Sequence, residues 1–234
     1  MAWTLPDTLT GDAEVKLRAS YGTGREAPGL RQLFGRSATF EGNPNLEPEE
    51  TWMWDAGADF TLLNERVNLA LTYYDGEADN GIFSVFDTTA FVSRPENIDS
   101  VVEMSGIEAE AQLALSSRIT LEVAYTHARS EIAATGQQLF GRPKNEWSGA
   151  LTVRATPRLT IVADAYGRTE FFSDYPQDFE MNGYRILNLS GRYSLTDNVE
   201  LNVSVKNVLD KTDEEKLGDN AFGRIMQARI ATRF

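Results

Sequence analysis

One pattern constrains this chain more than any other: apolar and polar residues alternate with a period of two, in segment after segment. Val67, Leu69, Leu71 and Tyr73 hold one parity while Asn68, Ala70, Thr72 and Tyr74 hold the other. Successive side chains of a β-strand point to opposite faces, so such a stretch is a strand with one apolar and one polar face. The same alternation starts again near Val15, Trp52, Ile107, Ile119, Trp147, Leu159, Leu187, Val199 and Met226. About ten segments result, each close to the ~9 to 11 residues with which a tilted strand crosses a bilayer. The connections also alternate. Short ones fall at Leu63-Asn64-Glu65, Ser116-Ser117, Thr156-Pro157 and Thr196-Asp197-Asn198, and long ones at about 23–50, 76–100, 131–144, 170–182 and 207–223. Short turns therefore gather at one end of the strands and long loops at the other.

Composition narrows the classes further. No apolar run approaches the ~18 residues of a helical membrane span, and mean hydropathy is -0.35. Neither fact argues against a membrane barrel, whose lipid-facing residues alternate with polar ones and leave average hydropathy uninformative. The 35 acidic and 22 basic residues give a net charge of -13, which excludes a nucleic-acid surface, since that needs clustered Lys and Arg against phosphates. With no cysteine and one histidine, there is no disulfide, thiol nucleophile or thiolate metal site, and the expectation is no metal and no cofactor. Residues 1–12 lack the basic and apolar regions of a secretory signal. They are expected to be a periplasmic lead-in, in a mature form or a piece of a longer chain, ahead of a single domain at 13–234.

The fold expected is an all-β antiparallel transmembrane barrel of about ten strands, with short periplasmic turns, long extracellular loops and both termini periplasmic. Aromatic placement tests this independently, because Tyr and Trp favour the membrane interface. On the apolar parity Tyr21, Trp52, Trp54, Tyr73, Tyr125 and Trp147 fall at the loop end, and Phe60, Tyr193 and Phe234 at the turn end. The polar parity carries Glu14, Lys16, Arg18, Asp55, Asp59, Glu108, Glu110, Glu122, Arg154, Asp164, Arg168, Arg192, Glu200, Lys206 and Arg229. In a small closed barrel these form an ionic plug; in a wider one they line a lumen facing a plug or a passing solute. Closure requires the first and last strands to pair, because a bilayer cannot solvate an open edge.

Candidate ligand contacts are the loop aromatics Phe83, Phe86, Phe91, Phe171, Phe172, Tyr175 and Phe179, which also have the simpler role of packing loops together. The acidic loop residues Asp174, Asp178, Glu180, Asp210, Asp213, Glu214, Glu215 and Asp219 lack calcium-loop spacing and read as solvated charge. Hydrolytic chemistry needs a histidine beside a carboxylate or serine near a rim. His127 shares parity with Ile119, Leu121, Val123 and Tyr125 and should point outward, so no enzyme is expected.

Several stretches carry a family resemblance. They are Tyr21-Gly-Thr-Gly-Arg-Glu-Ala-Pro-Gly-Leu-Arg-Gln-Leu-Phe-Gly35, Gly42-Asn-Pro-Asn-Leu-Glu-Pro-Glu-Glu50, Gly106-Ile-Glu-Ala-Glu110, Lys206-Asn-Val-Leu-Asp-Lys211, Gly223-Arg224 and the final Ala-Thr-Arg-Phe234. In this order they resemble the C-terminal barrel portion of TonB-dependent outer-membrane receptors, over nearly the whole chain from Glu14 onward. The resemblance implies residence in the Gram-negative outer membrane, contact with lipid and the barrel-assembly machinery, and uptake of a scarce nutrient such as a siderophore complex or cobalamin. Ile230 and Phe234 are similar to the family's barrel-assembly signal. Family barrels have about twice as many strands behind an N-terminal plug with an energy-coupling box. No plug is expected within these 234 residues, so TonB-type coupling enters only if a plug is supplied elsewhere. The alternative is a small or partial barrel without transport of its own, acting as an assembly or binding module or a passive pore.

Overall fold

The computed structural model describes residues 1–6, 13–173, 179–212, 214–216, 219–220 and 222–233. Ten long strands follow in chain order: β1 Glu14–Glu26, β2 Glu49–Leu62, β3 Val67–Asp79, β4 Val102–Ser116, β5 Ile119–Ile132, β6 Asn145–Thr156, β7 Leu159–Arg168, β8 Tyr184–Ser194, β9 Val199–Lys206 and β10 Ile225–Thr232. Each pairs antiparallel with its sequence neighbours. Two short strands, Ala2–Thr4 against β1 and Gln137–Gln138 against β5, bring the sheet to twelve.

The four tight turns have a local chemical basis. In three of them a hydroxyl accepts the backbone N–H two residues on: Ser116 from Arg118, Thr156 from Arg158 and Thr196 from Asn198. This side-chain mimic of a backbone turn lets a strand reverse at once. The fourth turn instead holds Leu63, Asn64 and Glu65 all at left-handed φ, between 52° and 64°. That conformation is costly for residues bearing a Cβ.

Pairing runs past the alternating segments at the loop end. β1 continues to Glu26, β2 starts at Glu49, β3 reaches Asp79 and β4 begins at Val102. The backbone ladder thus persists after the side-chain alternation has ended. Two long loops then build a second, four-stranded sheet, in the order Arg36–Ser37, Phe40–Glu41, Val92–Asn97, Ile82–Asp87. A short helix, α1 Leu30–Phe34, precedes it.

No conventional core exists among the described residues. The buried apolar side chains are Leu46, Val102, Ile132, Phe171, Met181 and Ile186, in the loops or at the loop ends of strands. Large apolar residues such as Leu17, Leu71, Val123, Leu189 and Val203 lie exposed along the strands. An apolar belt of this extent requires lipid.

The sheet stays open among the described residues: its path runs from Ala2–Thr4 to β10, and those ends do not pair. The lower half of β1, Lys16 to Arg18, is already occupied by Thr4 to Ala2. The N-terminal residues thus extend the sheet edge, where the sequence pattern implies only a lead-in. A three-residue strand is too short to show a period and is held through its backbone.

Candidate functional site

Register fixes which side chains share a face, because residues directly opposite in an antiparallel pair point the same way. Lys16 lies opposite Asp59, Arg18 opposite Gly57, and Gly57 opposite Thr72. Thr72 faces Glu108, which faces Thr126, and Ala70 faces Glu110. Gln112, two residues on from Glu110, faces Glu122, and the partners run on through Ala150 and Asp164 to Asn188; on the same face of that strand Arg192 faces Asn202, which faces Arg229. All fifteen charged residues expected to line a lumen therefore stand on one face of one sheet.

Among the described residues, two large hollows lie on that face. One of about 630 Å³ extends from Asp59 on β2 to Asp164 on β7, past Glu110, Gln112 and Glu122. The other, of about 430 Å³, lies among Thr152, Thr160, Ser190, Arg192, Asn202 and Arg229. Polar groups on and around these hollows are cross-linked across the face. Arg18 crosses the bare backbone of Gly57, where an added Cβ would lie 2.9 Å from its Cζ. It donates to Asp59 at 3.1 Å and to the buried Thr72 hydroxyl at 2.5 Å. Ser20 donates to Asp55, Gln112 to Glu122 at 3.1 Å, and Asn188 to Asp164 at 2.7 Å. Arg192 stands 3.6 Å from Glu200, which also accepts from Asn202 at 2.9 Å.

The opposite face carries the aromatics expected at the interfaces. Tyr21 faces Trp54 across the β1–β2 pair, and the Trp54 and Tyr73 ring centroids are 5.5 Å apart. Tyr125 faces Trp147, Phe60 faces Leu69 and Tyr193 faces Leu201. Trp52 donates its indole N–H to Glu77 at 3.1 Å. Ile230 lies opposite Leu201 and is 66% exposed; Phe234 lies outside the described residues. His127 is on this face too. Its Nδ1 is 2.8 Å from Asn145 Oδ1, which also accepts from the Tyr125 hydroxyl at 2.7 Å.

The loops are braced by asparagines. Asn43 donates to Pro95 O at 3.2 Å and accepts the Asn45 N–H at 3.0 Å. Asn97 accepts the Glu47 N–H at 2.8 Å and donates to Glu47 O at 3.0 Å and Asn80 O at 2.6 Å. The Asn-Pro-Asn-Leu-Glu-Pro stretch thereby locks the first long loop to the second, with Leu46 buried beneath it. An ionic knot secures the same junction: Arg94 reaches Glu41 at 2.6 Å and Asp87 at 3.3 Å, and Arg36 stands 3.5 Å from Glu41. The Arg94 guanidinium, bonded to Glu41, holds that carboxyl below the usual range. The Ala90 and Thr89 N–H groups do the same for Asp87, and Glu41 in turn raises Arg94.

A second brace closes the last loop. Asn207, 4% exposed and at φ +50°, accepts the Lys211 N–H at 3.0 Å and donates to Lys211 O at 2.5 Å and Phe222 O at 3.0 Å. Asp210 accepts the Arg224 N–H at 2.7 Å. In the sequence, Asn43 and Asn207 stand out only as parts of motifs, and Asn97 not at all. Asn97 has no local signal, since its partners are 17 and 50 residues away.

The loop aromatics do not form one cluster. Phe83 meets Phe140 edge-on at 5.1 Å, and Phe86 meets Phe91 at 6.3 Å. Phe171 is buried opposite Met181, with the Arg168 guanidinium 4.4 Å above its ring. Phe172 pairs with Glu180. Phe86, Phe91 and Phe179 are exposed, and Tyr175, like Asp174, Asp178 and Asp213, lies outside the described residues.

A chain with one polar hollowed face, one apolar aromatic-banded face, tight turns below and braced loops above invites comparison with known barrels. The family model described as "TonB dependent receptor-like, beta-barrel" matches residues 2–208. The chain belongs to this family. The vitamin B12 transporter BtuB of Photobacterium profundum is 26% identical over 235 residues, covering 99% of this chain and 38% of its own length. Two solved structures show the same fold. The siderophore receptor PiuA of Acinetobacter baumannii aligns with a TM-score of 0.76 at 20% identity, over 95% of this chain and 34% of its own. The pyoverdine outer membrane receptor FpvA of Pseudomonas aeruginosa PAO1 gives 0.74 at 20%, over 100% and 35%. This TonB-dependent receptor barrel chain thus spans about two fifths or less of each relative. The relatives named are transporters and receptors, not hydrolases.

Proposed function

We propose that this chain supplies a section of the wall of an outer-membrane receptor that takes up a scarce nutrient of the siderophore or cobalamin type. The observation that carries the reading is the single polar face, on which charged and polar residues of all ten strands line up above four tight turns and below loops braced to one another. In this reading the fifteen charged residues face the lumen, Tyr21, Trp52, Trp54, Tyr73, Tyr125, Trp147, Phe60 and Tyr193 mark the two interfaces, and both termini are periplasmic. Ile230 with Phe234 serves the barrel-assembly machinery. The exposed loop aromatics Phe86, Phe91 and Phe179 are ligand contacts, together with Phe83, Phe172 and Tyr175, while Phe171, buried opposite Met181, packs its own loop. TonB coupling enters this reading only if a plug is supplied from outside these 234 residues.

The test is uptake of labelled cobalamin and of ferric siderophores by Gram-negative cells with and without the gene, paired with fractionation of the outer membrane. Gene-dependent uptake and recovery in the outer membrane are expected. Recovery in the soluble fraction, or uptake indifferent to the gene for every solute tried, refutes the reading. The open sheet favours a second reading, a partial barrel that transports nothing by itself. Liposomes containing the purified chain separate the two non-receptor forms: leakage of small solutes indicates a passive pore, and tight vesicles indicate an assembly or binding module.

A further inference from the structure

Face by face, the small loop sheet has divided chemistry. Arg36 pairs with Glu41 and Arg94 with Val85, and the ion pairs among Arg36, Glu41, Asp87 and Arg94 lie on one side. Alternation puts Ser37, Phe40, Ser84, Phe86 and Ser93 on the other, as their register confirms: Ser37 opposite Phe40, Phe40 beside Ser93, and Ser93 opposite Phe86. Helix α1 stands over this second side, with the Arg31 guanidinium 4.9 Å from the centre of the Phe40 ring. Between them is a hollow of about 430 Å³ lined by Arg31, Gln32, Thr39, Phe40, Ser84 and Ser93. Ligand sites begin at about 300 Å³ and combine an apolar wall with a few convergent polar groups.

Among the described residues, Arg31 is the one charged side chain lining that hollow. It makes no ion pair among the described residues, unlike Arg36 and Arg94 nearby. The acids of the small sheet that join the ionic knot, Glu41 and Asp87, are turned to the far side and engaged by Arg94. In a chain of net charge -13, this leaves a positive spot ringed by three hydroxyls and backed by an aromatic ring. Salt screens the remoter carboxylates within a Debye length of about 8 to 10 Å.

We propose that the hollow binds a small free solute bearing an oxyanion and hydroxyl groups. Its carboxylate or phosphate oxygens lie against the Arg31 guanidinium, and its hydroxyls against Thr39, Ser84 and Ser93. A guanidinium presents paired N–H donors that match such an oxyanion, and the serines and threonine both donate and accept. The Phe40 ring already holds Arg31 over the hollow, which lowers the ordering cost of binding. The site stands on its own geometry and does not depend on uptake.

The test is calorimetric titration of the full chain in detergent with citrate and inorganic phosphate, and with maltose as an uncharged, hydroxyl-rich control. Saturable millimolar or tighter binding of citrate is expected, with none of maltose. Arg31→Gln should weaken it at least about tenfold, Arg31→Lys should restore part of it, and Ser84→Ala with Ser93→Ala should weaken it less, since a charged hydrogen bond exceeds a neutral one. Arg36→Gln should leave it unchanged, because Arg36 faces away. Circular dichroism of every variant establishes that the sheet is intact. Equal binding by Arg31→Gln, equal loss in Arg36→Gln, or no binding of either anion overturns the proposal. Arg31-dependent binding of phosphatidylglycerol vesicles alone also overturns it, since the oxyanion is then a lipid headgroup.

Discussion

Replacing Asn207 by alanine tests the idea that a single buried side chain closes the last loop. Three hydrogen bonds vanish, two to the Lys211 backbone and one to Phe222 O. At ~1 kcal/mol each for groups that partly regain water, they amount to about 3 kcal/mol. Asn207 also sits at φ +50°, where alanine costs about 1 to 2 kcal/mol more than a residue suited to the left-handed region. The clamp should lose about 4 to 5 kcal/mol, and Asn207→Gly, which adopts that φ freely, only about 3. The direct assay is hydrogen exchange at the Lys211 amide, the group bonded to Asn207 Oδ1. Its protection should fall about a hundredfold or more in both variants, further in alanine than in glycine, because each 1.4 kcal/mol of opening energy is a factor of ten. Unchanged protection at Lys211 in the alanine variant, with the strands intact by circular dichroism, would refute the clamp. Equal effects in the two variants would remove the backbone part of the reasoning alone.

Three further outcomes follow from the same geometry. Gly106→Ala should cost about 1 to 3 kcal/mol in detergent unfolding, since its Cβ would lie 2.5 Å from both His127 O and the Tyr74 hydroxyl; a variant as stable as the parent contradicts the packing. Leu71→Arg, on the exposed apolar face, should destabilise the folded state in lipid by about 2 to 4 kcal/mol, whereas Ala70→Arg, opposite Asp59 and Glu110, should be tolerated. Equal penalties would mean that the two faces do not meet different solvents. The loop sheet should loosen in acid. Glu41 and Asp87 have folded pKa values below their ordinary ones, so their contribution is complete above the unfolded values and lost as pH falls through the lowered folded values. Hydrogen exchange across Val92–Asn97 should therefore rise below the ordinary carboxylate range, and Arg94→Gln should flatten that dependence.

The sequence alone determined the strands, their faces and the ends at which loops and turns collect. Each of these follows from a period of two and from hydroxyl or left-handed turn residues acting within a few positions of themselves. Even the partition of Glu110 from Ala111 was legible, because a membrane penalises the wrong parity residue by residue. The tertiary structure decided what depends on distant partners. Only register brought Arg18 over Gly57 to Thr72, 54 residues on. Only the folded loops joined Asn97 to Glu47, set Phe171 beneath Arg168, and placed Arg31 over the hydroxyl-lined hollow. In water outside the bilayer no rule of alternation selects side chains, so loop residues carry no local signature of their partners. The edge that β10 leaves unpaired among the described residues has the same origin: alternation says which way a strand faces, and only backbone pairing across the whole sheet says what lies beside it.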